Sequence, residues 1–142
     1  IAAKLGIAVD STFMQSTFKV MTDHGCDFTL FFAELTRIAA GGSDDAFVDL
    51  FVSQDAAHSW LESWRAVFDP ALLDGMTAAN PVFIPRNHRV EEVISSAIAG
   101  DFMSFEKLIS VLETPFVEQP ENSEYERPPT ADQVVHQTFC GT

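Results

Sequence analysis

The sequence predicts an all-α protein, an irregular multi-helix bundle followed by an extended, proline-rich acidic tail. Three observations carry that prediction. Apolar residues recur at helical spacing through most of the chain. All seven prolines lie at position 70 or later, so the earlier residues hold no strong helix breaker except glycine. Convincing apolar–polar alternation is missing, and Val82-Phe83-Ile84 is the one short strand candidate.

Taken in order, Met14, Phe18 and Met21 fall at i, i+4 and i+7 of a first helix, which Gly25 ends. Phe28, Phe31, Phe32, Leu35, Ile38 and Ala39 form a fuller stripe on a second helix. Asp27 stands where it can cap that helix, and Gly41-Gly42 where it must stop. Phe47, Leu50 and Phe51 suggest a shorter helix. Ser53 can cap the next, which carries Trp60, Leu61, Trp64 and Phe68. Asp69-Pro70 restarts the chain as a cap followed by proline, and Leu72, Leu73 and Met76 fill a short helix ending at Asn80-Pro81.

Pro81 and Pro85 force extended backbone over residues 80–87. Helical spacing resumes at Val90, Val93, Ile94, Ala97 and Ile98, with Gly100 as the stop. A last helix carries Phe105, Leu108, Ile109 and Leu112, with Asp101 or Ser104 as cap and Thr114-Pro115 as its end. Seven or so helices result, each expected to bury one face against its neighbours.

Composition changes after Leu112. Residues 113–132 hold six acids (Glu113, Glu118, Glu121, Glu124, Glu126, Asp132) against Arg127, together with Pro115, Pro120, Pro128 and Pro129. The domain reading is therefore a helical domain over 1–112 and an extended acidic tail over 113–142 that ends in Cys140. Composition describes a solvated tail. Phe116, Val117 and Tyr125 describe a strip anchored on a surface.

The 142 residues carry 21 acids and 8 basic side chains, a net charge of −13. Phosphate backbones need clustered Lys and Arg, so no nucleic-acid partner is expected. The same excess argues against a polybasic membrane-surface module, and no apolar run reaches spanning length, so no membrane partner is expected either. Two cysteines, Cys26 and Cys140, are too few for a disulfide framework. A soluble, cytoplasmic protein is the expectation. The chain starts at Ile1 without an initiator Met, which suggests processing or a longer parent.

Catalytic motifs are absent. The four histidines (His24, His58, His88, His136) and two cysteines lack zinc-ligand spacing, so no metal site is expected. There is no HExxH, no GxxxxGK[ST] and no GxSxG. Gly41-Gly42 leads into Ser43-Asp44-Asp45, which puts acids where a phosphate needs amides and cations. Trp60 and Trp64, one turn apart, read as core; exposed, they would mark a docking surface. Arg86-Asn87-His88-Arg89 is the single basic cluster. It reads either as a helix start capped by Asn87 or as an anion contact through Arg86 and Arg89. Cys140, third from the end beside Gly141, reads as a reactive thiol, whereas Cys26 reads as a small packed side chain.

The second half of the chain resembles the selenoprotein O family. The segment from Ala79 through Asn80-Pro81 to Pro85-Arg86-Asn87-His88 is similar to that family's "NP…RN" segment. Gly100-Asp101-Phe102, then Pro115-Phe116-Val117-Glu118-Gln119-Pro120-Glu121, Tyr125, Pro128-Pro129 and the terminal Cys140-Gly141-Thr142 follow in the family's order. Lys4-Leu5-Gly6 and Asp27 to Phe32 look like family segments too, although Ala33 stands where an arginine is common.

The resemblance implies a parent with a kinase-like core that binds ATP and Mg²⁺ and transfers AMP to protein hydroxyls. It implies that the catalytic residues lie upstream, since no glycine-rich loop, Asp-Phe-Gly or catalytic-loop signature occurs here. This chain would then be the C-terminal helical region, with its own N-terminal core and the parent's protein substrates as partners, and with no catalytic, cofactor or metal residue of its own. The resemblance marks Cys140 as the redox-active terminal residue, paired with a cysteine outside the chain, because Cys26 replaces an alanine of the family. The competing expectation is a free-standing helical interaction domain whose acidic strip docks a basic partner.

Overall fold

The computed structural model describes residues 1–136, among which lie eight α-helices and two 3-10 helices. The α-helices are α1 (Ala2–Leu5), α2 (Ser11–His24), α3 (Phe28–Ala39), α4 (Asp45–Val48), α5 (Gln54–Arg65), α6 (Leu73–Ala79), α7 (Asn87–Ile98) and α8 (Met103–Leu112). The 3-10 helices are Pro70–Leu72 and Pro120–Tyr125. The protein is all-α. The described residues form no strand, and Ile7 with Phe68 makes an isolated antiparallel bridge. The backbone divides into two units, Ile1–Pro81 and one that begins at Val82. Composition changes at 112/113, but packing changes at Pro81/Val82, because α7 and α8 pack on each other and on the residues that follow them.

Local chemistry explains most helix ends in the first unit. Asp27 Oδ1 accepts the Leu30 amide at 2.9 Å, and Ser53 Oγ accepts the Ala56 amide at 3.3 Å. Asp69 Oδ1 accepts the Ala71 amide at 2.9 Å and opens the 3-10 turn before α6. Gly25 closes α2 in the left-handed region at φ 64°. The start of α2 was not read from the sequence: Asp10 Oδ1 accepts the amides of Thr12 and Phe13 at 2.9 and 3.0 Å.

An aromatic cluster fills this unit. Phe31 lies 4.8 Å from Phe47 and 5.0 Å from Trp60, ring centre to ring centre. Both tryptophans are core, as expected. Trp64 Nε1–H donates to the Leu5 carbonyl at 2.8 Å, which binds α5 to α1. Gly6 follows at φ 61°, and a Cβ there would sit 2.8 Å from the Phe68 ring, so only glycine lets α1 end against that ring. Two expected stripe members, Phe18 and Phe28, are more than a third exposed, while the polar Thr17 is buried. Thr17 tolerates burial because its hydroxyl donates to the Phe13 carbonyl at 2.9 Å.

A polar node ties the two ends of this unit. Asn80, buried at the end of α6, donates through Nδ2 to the Lys4 carbonyl at 2.9 Å and to Thr36 Oγ1 at 2.8 Å. Lys4 Nζ donates to the Ala79 carbonyl at 2.5 Å and to Asn80 Oδ1 at 3.3 Å. The ammonium also lies 5.5 Å from the Phe32 ring centre. Burial holds the Lys4 pKa below its ordinary value.

The second unit has a smaller core of Val82, Phe83 and Val111, with Leu112 and Tyr125 against it. Residues 82–86 form no ladder, and the Arg86 amide donates back to the Ile84 carbonyl at 2.8 Å in a tight turn around Pro85. The amides of Val82 and Phe83 both donate to the Pro115 carbonyl, at 2.8 and 3.1 Å, so the strand candidate is a strap that ties two proline-rich segments. The acidic strip is irregular, and it adds a 3-10 helix that its composition did not predict. Of its expected anchors Tyr125 packs on the core, whereas Phe116 and Val117 are exposed. Polar groups do the rest. Gln119 Nε2 donates to the Val111 carbonyl at 3.0 Å and to Thr114 Oγ1 at 3.1 Å, and buried Asn122 donates to Gln119 Oε1 at 2.7 Å.

The expected stripes of α7 and α8 are helical, but their burial is not as expected. Val93, Leu108 and Val111 are buried, whereas Ile94, Ile98, Phe105 and Ile109 are exposed. Spacing sets which residues share a face; it does not supply the surface that covers them.

Candidate functional site

Arg86, Asn87, His88 and Arg89 straddle the start of α7. Asn87 is already helical, and Arg86 holds the N-cap place in extended backbone without a side-chain cap. This corrects the expectation that Asn87 caps the helix: extended backbone ends at Arg86, so the helix begins at Asn87, one residue earlier than a cap at Asn87 would place it. Arg86 and His88 are both buried. Burial, then the Arg89 charge, lowers the His88 pKa and favours the neutral imidazole.

Arg89 faces the acidic strip. Its Nη1 donates to Glu92 Oε2 at 2.9 Å, its Nη2 donates to the Glu124 carbonyl at 3.0 Å, and the guanidinium lies 5.2 Å from the Tyr125 ring centre. The Tyr125 hydroxyl pKa is raised, first by its burial and then by Glu124. These contacts make Arg89 a clamp between α7 and the 3-10 helix at Pro120–Tyr125. Arg89→Ala is expected to loosen that turn by about 1–2 kcal/mol, read as faster amide exchange at Glu126. Arg89→Lys is expected to restore less than half of it, because an ammonium lacks the two-pronged geometry. Unchanged exchange in Arg89→Ala would remove the clamp.

Cys140, the redox candidate, lies outside the described residues. Cys26 is half-buried, its Sγ donates to the Leu50 carbonyl at 3.4 Å, and burial raises its thiol pKa. Those are the surroundings of a packed thiol and not of an activated one. The His24 ring packs tilted against Phe51 with ring centres 5.2 Å apart, while His58 and His136 are exposed. Among the described residues no three of His, Cys, Asp and Glu are grouped as metal ligands.

Among the described residues no carboxylates are grouped to hold the Mg²⁺ of a nucleotide. Phosphates need uncommitted cations beside grouped carboxylates. Here Lys4 is engaged by Ala79 and Asn80, and Arg89 by Glu92, Glu124 and Tyr125. No helix among the described residues is long and apolar enough to cross a membrane.

The class defined so far is an all-α segment of two units, whose polar networks tie helices together. Comparison with known proteins narrows the class to a family. A protein of Rhizobium etli described as "Protein nucleotidyltransferase YdiU" is 40% identical over 141 residues, which covers 94% of this chain and 28% of that protein. Proteins with the same description from Ruegeria pomeroyi and Jannaschia sp. are 40% and 36% identical, covering 99% and 100% of this chain. No family model matches the chain. The chain belongs to the YdiU, or selenoprotein O, family of protein nucleotidyltransferases. It spans about 30% of the length of these relatives.

Proposed function

We propose that this chain is the C-terminal helical region of a kinase-like protein adenylyltransferase, and that the residues acting on ATP and Mg²⁺ lie upstream of Ile1. The observation that carries the reading is identity of 36–40% across nearly the whole chain with proteins described as protein nucleotidyltransferases. The segment's partners are its own N-terminal core and, through the parent, protein substrates bearing hydroxyls, and its location is cytoplasmic.

In this reading Cys140 is a redox handle on the parent. Two thiols, Cys140 and a cysteine outside this chain, form one S–S bond and release two protons and two electrons to a small-molecule disulfide or a peroxide. The surroundings of Cys26 favour a partner elsewhere.

One assay tests both parts. The full-length parent, given ATP labelled in its α-phosphate and Mg²⁺, is expected to label protein, and the 142 residues alone to label none. No labelling by the parent would end the assignment, and labelling by the short chain would put the site within it. Cys140→Ser is expected to retain transfer and lose its response to oxidant. An unchanged response would end the redox role.

A further inference from the structure

The most conspicuous unused feature is an apolar face on α7 and α8. Val93, Ile94, Ala97, Ile98, Phe102 and Phe105 line one groove. Ile98 is 84% exposed, Phe102 58% and the adjacent Met103 77%. Ile109 continues the face along α8 and is 45% exposed. Scattered exposed apolar residues are ordinary, but a contiguous set on two packed helices marks an interface.

Three facts bear on what covers it. The chain spans about 30% of its relatives' length, so on the functional reading above most of a parent polypeptide would lie outside these residues. A tethered segment meets this face at an effective concentration on the order of mM, ahead of any partner in free solution. No charged residue lines this groove, and Glu91 and Glu92 line a separate one with His88, Ser95 and Ser96. A covering surface should therefore be apolar.

We propose that the face formed by Ile94, Ile98, Phe102, Phe105 and Ile109 is the seat on which the parent's preceding polypeptide docks. This deepens the functional reading above and rests on it. The face joins this segment to the rest of the protein through apolar burial.

The test uses the full-length parent carrying a photo-cross-linking benzoylphenylalanine in place of Ile98. That side chain is nearly fully exposed, so the substitution should not disturb the helix. Cross-linked peptides from before Ile1, within a product of monomer mass, are expected. A product of twice that mass, a link confined to residues 1–81, a link to another protein or no link at all would overturn the proposal. A second variant, Ile98→Lys with Met103→Lys, is expected to speed limited proteolysis within α7 and α8 of the parent at least fivefold. An unchanged rate would count against the docking. Labelling from ATP is scored separately on the same parent. Cross-linking without AMP transfer fails the activity reading alone, and AMP transfer without the expected cross-link fails this proposal alone.

Discussion

Trp64→Ala is expected to destabilise the Ile1–Pro81 unit by about 4–5 kcal/mol, a large part of what a small domain has. The ring is 1% exposed and lies 4.7 Å from the Phe68 ring centre, so truncation leaves a cavity among large side chains that cannot readily collapse. It also leaves the Leu5 carbonyl, in a fully buried residue, without the Trp64 indole donor. Denaturation followed by tryptophan fluorescence reads this unit specifically, because both tryptophans lie in it. A loss below about 2 kcal/mol would mean the ring is not packed as described.

Trp60 separates the two contributions. It is similarly buried, but its Nε1 has no hydrogen-bond partner among the described residues. Trp60→Phe and Trp64→Phe remove the same volume, yet only the second removes a hydrogen bond. The second is expected to cost more by about 1–3 kcal/mol. Equal costs would show that the indole–Leu5 bond does not anchor α1.

Asn80→Leu is the other large effect, expected at about 2–4 kcal/mol in the same unit. Both Nδ2 hydrogens are used, on the Lys4 carbonyl and on Thr36 Oγ1, and Oδ1 accepts from the Lys4 ammonium. Leucine keeps the approximate volume and strips those partners. Asn80→Asp poses the sharper question. Were the residue there to balance the Lys4 charge, a carboxylate would stabilise the fold. The geometry instead makes it a donor to a carbonyl, so a carboxylate oxygen would face another oxygen. Asn80→Asp is therefore expected to be destabilising at pH 7 in urea unfolding, and a stabilised variant would reverse the assigned role.

These two residues also show how much the sequence discloses. Trp60 and Trp64 were readable as core because two large rings one turn apart share a face and seek burial. Asn80 was readable as a helix end beside Pro81, but not as a node, since its partners lie 76 and 44 positions away in the chain. Caps at Asp27, Ser53 and Asp69 were legible because the donor amide lies two or three residues on. Asn87 was misplaced as a cap because residue type favours Asn there, whereas the extended backbone already ends at Arg86 and Asn87 is the first helical residue. The basic cluster shows the same limit: composition shows two arginines, while the clamp on Tyr125 depends on where the strip returns.

By itself, the sequence determined the all-α class, the helix order, most helix ends and the family resemblance of the second half. All of these depend on nearest neighbours or on ordered motifs, which a linear chain displays directly. Only the tertiary structure decided that packing divides at Pro81/Val82, that Asn80 and Gln119 fasten distant segments, and that the faces of α7 and α8 remain uncovered. The reason is physical. Periodicity states which side chains lie together, but burial needs a second surface, and that surface is chosen by residues far away in the chain or beyond it.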